Sequence, residues 1–169
     1  LCLLDSAIGA LGNTGVETLT TGRPPQRSGN RHLVGSPIDL FATASEPIYL
    51  AMATDRLFAD LCTVLERPDL VTDERFATNA ARVANRQLVT DTLTPTMQQH
   101  PTDWWIEKLE ALKIGCGPIN TLKQVFADPH VVARNMVLEM AHSSGQAMKV
   151  IANPVKLSET PADYRIAPP

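Results

Sequence analysis

Aromatic residues make up only 5% of the 169-residue chain, and no stretch of it is strongly basic. Single-strand stacking platforms and polyphosphate grooves need both, so a nucleic-acid partner is not expected. The motifs Gly-x-x-x-x-Gly-Lys-Ser/Thr, Gly-x-Ser-x-Gly, His-Glu-x-x-His and Gly-x-Gly-x-x-Gly are all missing. That removes the P-loop, nucleophile-elbow, zincin and dinucleotide-binding signatures. Cysteine is limited to Cys2, Cys62 and Cys116, with no Cys-x-x-Cys, and His32, His100, His130 and His142 are scattered. Zinc-ligand spacing is therefore lacking and no metal site is expected. Reduced thiols and a cytoplasmic location are the expectation. Net charge is −3, and no apolar run approaches the roughly 18–20 residues of a membrane span, so no membrane partner is expected.

Leu, Val, Ile and Phe supply about a quarter of the chain, enough for a packed core. Leu1, Leu4, Ile8 and Leu11 recur on one helical face. The chain opens without Met and already within this stripe, so a piece of a longer protein is expected. Gly9, Gly12, Gly15, Gly22, Gly29 and Gly35 crowd the first 35 residues together with Pro24 and Pro25, which predicts a long linker over 13–37. Arg23, Arg27 and Arg31 in it could meet a phosphate, although a solvated linker is the simpler reading.

From Leu40 the pattern changes. Residues 40–44 and 48–52 predict a hairpin turning at Ser45-Glu46-Pro47. Thr54 is a candidate N-cap, with Asp55 in the first turn and Leu57, Phe58, Leu61, Cys62 and Leu65 as the apolar face. A helical stretch over 78–94 should be limited by Pro95, and a helix over 102–113 should end at Gly115 as its C′ residue. Adjacent Trp104 and Trp105 cannot share a face, so Trp105 is assigned to the core. Residues 115–119 are expected as a short extended link. Thr121-x-x-Gln124 has capping-box form, and Asp128-Pro129 pairs an N-cap with Pro at N1. Residues 137–141 and 147–151 predict a second hairpin, and 154–169 an extended tail. The class is α+β: antiparallel hairpins flank a helical middle, preceded by a helix and a long linker. Cys116 could be a nucleophile if a base lay beside it, but a small residue in a tight turn is the commoner case.

The order of short motifs adds a family. Arg27-Ser-Gly-Asn-Arg-His32, Asp55-Arg-Leu-Phe58, Arg67-Pro-Asp-Leu70, Asp73-Glu-Arg-Phe-Ala-Thr-Asn-Ala-Ala-Arg82, Asn85-Arg86, Gly117-Pro-Ile-Asn-Thr121, Asp128-Pro-His130, Asn153-Pro-Val-Lys-Leu-Ser158 and the closing Ala167-Pro-Pro169 follow one another across nearly the whole chain. In this order they resemble the class III CoA-transferase family, the CaiB/BaiF type that includes formyl-CoA transferase-like proteins.

The resemblance implies a Rossmann-like large domain, a smaller α+β domain and an interlocked homodimer. Residues 1–12 would be the last helix of the large domain, 13–37 the linker, 38–153 the small domain and 154–169 the return segment. It implies transfer of CoA from an acyl-CoA to a carboxylate through an aspartyl-CoA thioester. CoA enters as a substrate thioester, and no permanently bound cofactor is implied. The nucleophilic Asp would lie upstream of Leu1, no residue of this chain would be catalytic, and the chain alone would be inactive. Asn30, His32 and Gly35 match a segment that lies near substrate in some relatives, where it is a glycine-rich lid. Arg31–Ser36 holds one glycine, a departure from that pattern. Asp55 matches a position that is often acidic and could support catalysis, although helix-start carboxylates are common. Other departures are Ser45-Glu46 in place of Asp-Gly, which disfavours a type I′ turn, Ile38 after Pro37, and Pro95 within a helix. A CoA-ester racemase of the same superfamily, using a general base, and a non-catalytic binding or assembly module are the alternatives.

Overall fold

A computed structural model describes residues 2–166. The expectations that rest on Leu1 and on Ala167-Pro168-Pro169 lie outside them. The chain divides into two compact units, Leu1–Pro118 and Ile119–Pro169.

In the first unit, α1 (Leu3–Ala10) is followed at once by α2 (Gly12–Thr21). The expected linker thus begins later, after Gly22, which closes α2 in the left-handed conformation (φ 69°). Glycines weaken a helix without forbidding it, and the hydroxyls of Thr18, Thr20 and Thr21 fold back onto carbonyls four residues earlier. Neither helix has a buried residue among those described.

The core begins with β1 (Ile38–Phe41) and β2 (Ile48–Ala51), antiparallel, with Phe41 opposite Ile48. A third strand, β3 (Gly115–Pro118), pairs antiparallel with β2, so Leu50 faces Cys116. The sequence suggested only an extended link there, because Gly-Cys-Gly-Pro carries no strand signal. In place of a tight hairpin turn, residues 42–47 are tied by hydroxyls. Thr43 Oγ1 donates to the Glu46 carbonyl (2.8 Å), and the Thr102 N–H donates to Ser45 Oγ (3.0 Å).

Helices share one hydrophobic core with this sheet. Helix α3 (Asp55–Val64) starts at Thr54, whose hydroxyl accepts from the Leu57 N–H, and buries Phe58, Leu61 and Cys62. Short α4 (Asp69–Thr72) and α5 (Asn79–Ala84) lead to α6 (Arg86–Met97), which buries Val89, Leu93 and Met97. Pro95 lies inside α6 instead of ending it. Its missing N–H forfeits a bond to the Asp91 carbonyl, but only Thr96 and Met97 follow it in the helix, so little helix lies beyond the break. Helix α7 (Thr102–Ala111) buries Trp105, whose indole N–H donates to the Met97 carbonyl at 2.7 Å. Trp104 is only partly buried and stacks on His100.

Helix α7 does not use Gly115 as its stop. Lys113 takes the left-handed conformation (φ 57°), its N–H bonds the Glu110 carbonyl, and the Ile114 N–H bonds that of Leu109. This double bond pattern is a Schellman motif, closed by the buried pair Leu109 and Ile114. Helix α3 ends the same way at Glu66 (φ 56°), with Arg67 bonded back to Cys62.

The second unit contains α8 (Leu122–Ala127), opened by the Thr121/Gln124 capping box, and α9 (Pro129–Ala133), capped by Asp128. The hairpin β4 (Val137–Ala141) and β5 (Ala147–Ile151) follows, on the residues expected for it. Its two strands form a sheet of their own. Residues 152–166 carry no regular element.

Candidate functional site

The substrate-proximal segment expected at Arg31–Ser36 is irregular backbone between Gly22 and β1, and its polar groups need partners. Three side chains from the start of α5 to the start of α6 supply many of them. Asn79, the first residue of α5, accepts the Ser36 N–H at its Oδ1 (3.1 Å) and donates from Nδ2 to the Val34 carbonyl (2.9 Å). Arg86, the first residue of α6, donates from Nη1 to the His32 carbonyl and from Nη2 to that of Leu33. Arg82, within α5, donates from Nε to the Ser36 carbonyl (2.8 Å).

Arg82 is fully buried, which an arginine tolerates only when its charge and donors are met. Nη1 donates to the Phe76 carbonyl (2.7 Å), and Nη2 to the Ala53 carbonyl (3.3 Å) and Asp55 Oδ1 (2.9 Å). The guanidinium also lies over the Phe58 ring, 4.3 Å from its centroid. The same Asp55 oxygen accepts the Asn79 N–H at 2.7 Å. Asp55 therefore joins α3 to α5 and is the counter-charge of a buried cation, though its own side chain is half exposed.

The proposed site residues thus separate into two groups. Asp55 bonds Asn79 and Arg82, and these hold Val34 and Ser36, the neighbours on either side of Gly35. Gly35 is buried because it packs closely: a Cβ there would meet the Ile38 side chain at 2.5 Å and Ala53 Cβ at 3.1 Å. His32 is exposed on the outer side. Its N–H donates to the Ile38 carbonyl (3.1 Å), and its Nδ1 accepts the Val34 N–H (3.3 Å). Asn30 is exposed too, and its carbonyl accepts from the Tyr49 hydroxyl at 3.5 Å. Arg31 is turned inward to Asp39 (3.1 Å) and Gln87 (2.7 Å), so this linker arginine is already engaged.

Sequence reasoning assigned no role to Asn79, Arg82 or Arg86. A buried arginine leaves no mark in hydrophobic periodicity. The one available signal was the close recurrence Asn79-x-x-Arg82-x-x-x-Arg86, polar residues at three and four positions apart on adjoining helices.

The thiols show no activated character. Burial pushes Cys62 up to about 11, and burial also raises Cys116, with Glu110 adding to the effect. Neither suits a thiolate nucleophile. No cluster of His, Cys, Asp and Glu suited to a metal ion occurs among the described residues, and no helix among them is long and apolar enough to cross a membrane.

The chain is 34% identical over 165 residues to a succinate–glutarate CoA-transferase from Agrobacterium fabrum, covering 97% of this chain and 41% of the relative. It is 33% identical over 138 residues to an acetyl-CoA:oxalate CoA-transferase from Acetobacter aceti, covering 82% of this chain and 34% of the relative. The fold matches the crystal structure of a CaiB/BaiF family protein from Brucella suis with a TM-score of 0.77 and 33% identity, over 90% of this chain and 39% of that one. The chain thus spans about two fifths or less of the length of the proteins it matches. The model of CoA-transferase family III matches residues 1–169. The chain belongs to CoA-transferase family III.

Proposed function

We propose that the protein to which these residues belong transfers CoA from an acyl-CoA to a free carboxylate. The observation that carries this is the match of the family model to all 169 residues, supported by a CoA-transferase relative at 34% identity. The nucleophile is an aspartate supplied outside residues 1–169. Its carboxylate attacks the donor thioester carbonyl, forming a mixed anhydride and expelling CoA thiolate. The thiolate attacks the aspartyl carbonyl, giving an aspartyl-CoA thioester and releasing the donor carboxylate. The acceptor carboxylate repeats the sequence in reverse, leaving as its CoA thioester and restoring the aspartate. Two easier acyl exchanges replace one hard one.

In this reading Asn30, His32 and Gly35 border the substrate. Asp55 serves through Arg82 and Asn79 instead of touching the reacting atoms. The acceptor is a short dicarboxylate, because the relatives above are named for succinate, glutarate and oxalate. The working protein is a cytoplasmic homodimer whose substrates, acyl-CoA and carboxylate, bring the CoA with them.

The test is CoA exchange by the full-length protein, with succinyl-CoA as donor against glutarate, oxalate and monocarboxylates. Transfer to a dicarboxylate is expected, and none from residues 1–169 alone. Transfer by residues 1–169 alone would overturn the assignment of the nucleophile. Deuterium entry at the α-carbon of a branched acyl-CoA, without CoA exchange, would identify a racemase instead.

A further inference from the structure

We propose that Asn79, Arg82 and Arg86 are positioning residues that hold 32–36 as a fixed wall of the CoA-transfer site, so that this segment does not open and close. The inference rests on the function proposed above for its placement beside substrate. The holding itself rests on geometry alone.

A lid needs backbone that exchanges protein partners for water at little cost, and commonly hinge residues with free dihedrals. The segment has neither. The carbonyls of His32, Leu33, Val34 and Ser36 each accept from one of the three side chains, and the Ser36 N–H donates to Asn79. Opening would break five hydrogen bonds, three of them to arginines, and such charge-assisted bonds are the stronger kind. The guanidinium of Arg82 would also lose one acceptor while remaining buried. The single glycine offers no hinge. Gly35 is not among the residues of positive φ, and it is small because Ile38 and Ala53 lie against it. Behind the segment, the space bounded by Ser36, Phe41, Val89 and Arg86 amounts to about 10 Å³, barely the room of one water. The wall is seated on the core, and its exposed side chains, His32, Leu33 and Val34, are the part that faces outward.

The experiment uses the full-length protein with Asn79→Ala and Arg86→Ala. Arg82 is left intact because its loss threatens the fold. Amide hydrogen exchange at 32–36 is read beside steady-state CoA transfer. The Ser36 amide of the wild type should be protected, and Asn79→Ala should speed its exchange roughly tenfold or more, the worth of one lost hydrogen bond. Arg86→Ala should loosen His32 and Val34. Both variants should lower kcat about tenfold, leave KM for acyl-CoA nearly unchanged and leave exchange in α3 and α7 as it was. Arg86→Lys, a point donor facing two carbonyls, should restore only part of both readouts.

Unprotected amides in the wild type, or unchanged exchange in both variants, would overturn the proposal. Faster exchange with unaltered kcat would overturn it too, since the order would then serve no step. If the wild type transfers no CoA, the function proposed above fails, and the exchange data alone decide whether these side chains hold the segment.

Discussion

Helices α2 and α3 each have ten residues, yet α3 buries Phe58, Leu61 and Cys62 while α2 buries nothing. Both carry apolar residues. Leu19 is 88% exposed in α2, and Leu61 is 0% exposed in α3. What separates them is the surroundings: α3 lies beside α7 and shares a core with Phe41, Ile48 and Leu50, and α2 has no buried residue among those described. An apolar stripe therefore records which side chains require burial and leaves open what provides it. A helix of this length is marginal on propensity alone, so α3 should owe its order to packing and α2 should owe little to its own side chains.

The largest contrast should appear in the thiols. Cys2 is exposed next to α1, and Cys62 is sealed in the core with its thiol pushed up to about 11. A disulfide reagent should modify Cys2 in the native protein. Cys62 should wait for unfolding, slower by about a thousandfold or more. Comparable rates would mean that α3 opens locally and that the two regions differ less than their burial suggests.

Next comes one substitution made twice. Leu61→Ala should cost about 2–5 kcal/mol through lost burial and a residual cavity, while Leu19→Ala should stay within about 0.5 kcal/mol. Urea unfolding followed by tryptophan fluorescence checks both, since Trp104 and Trp105 lie in the same unit. A cost above about 1 kcal/mol at Leu19 would show that α2 has a partner surface within this unit.

A smaller effect belongs to the cap. The Thr54 hydroxyl holds the Leu57 N–H at 3.3 Å, whereas α2 starts from Leu11, which has no side chain to offer. Thr54→Ala should cost about 1 kcal/mol in the same unfolding measurement.

Much of the fold was legible where the sequence spells out a local device. The hairpin β4–β5 falls on the predicted residues, because two short apolar runs flank the polar stretch His142–Gln146 with Gly145 in its turn. Thr54, Thr121 and Asp128 announce helix starts through their side chains. Helix ends were less visible. Gly22 marks the end of α2, but the left-handed positions after α3, α7 and α9 fall on Glu66, Lys113 and Asn135, so there the motif exists in backbone hydrogen bonds and not in residue type. Strand β3 was hidden because its order comes from pairing with β2. The candidate site divides between motif and fold. The motif pattern offered Asn30, His32, Gly35 and Asp55, but Arg82 takes its meaning from the carbonyls of Ser36 and Ala53, distant in sequence, and from burial that only the fold provides.

The smallest expected effect concerns an exposed pair at the edge of the packed region. The Arg75 side chain grips Asp73, and the Arg75 N–H adds a bond at 2.9 Å, so this carboxyl is held at about 2 against an ordinary 3.8. A carboxylate whose pKa is lowered by folding stabilises the folded state above its unfolded value. That contribution fades as pH falls from about 4 and is gone below about 2. The carboxyl resonance of Asp73 should thus titrate near 2, and Arg75→Ala should move the midpoint up only part of the way, because the backbone N–H remains. Solvent screening keeps the stability change slight at such an exposed site. Stability at neutral pH should therefore barely respond to Arg75→Ala, in contrast to Leu61→Ala. A large loss would mean that the turn at 73–77 anchors the start of α5 through this pair, and that the packed region depends on its surface charges as well as its core.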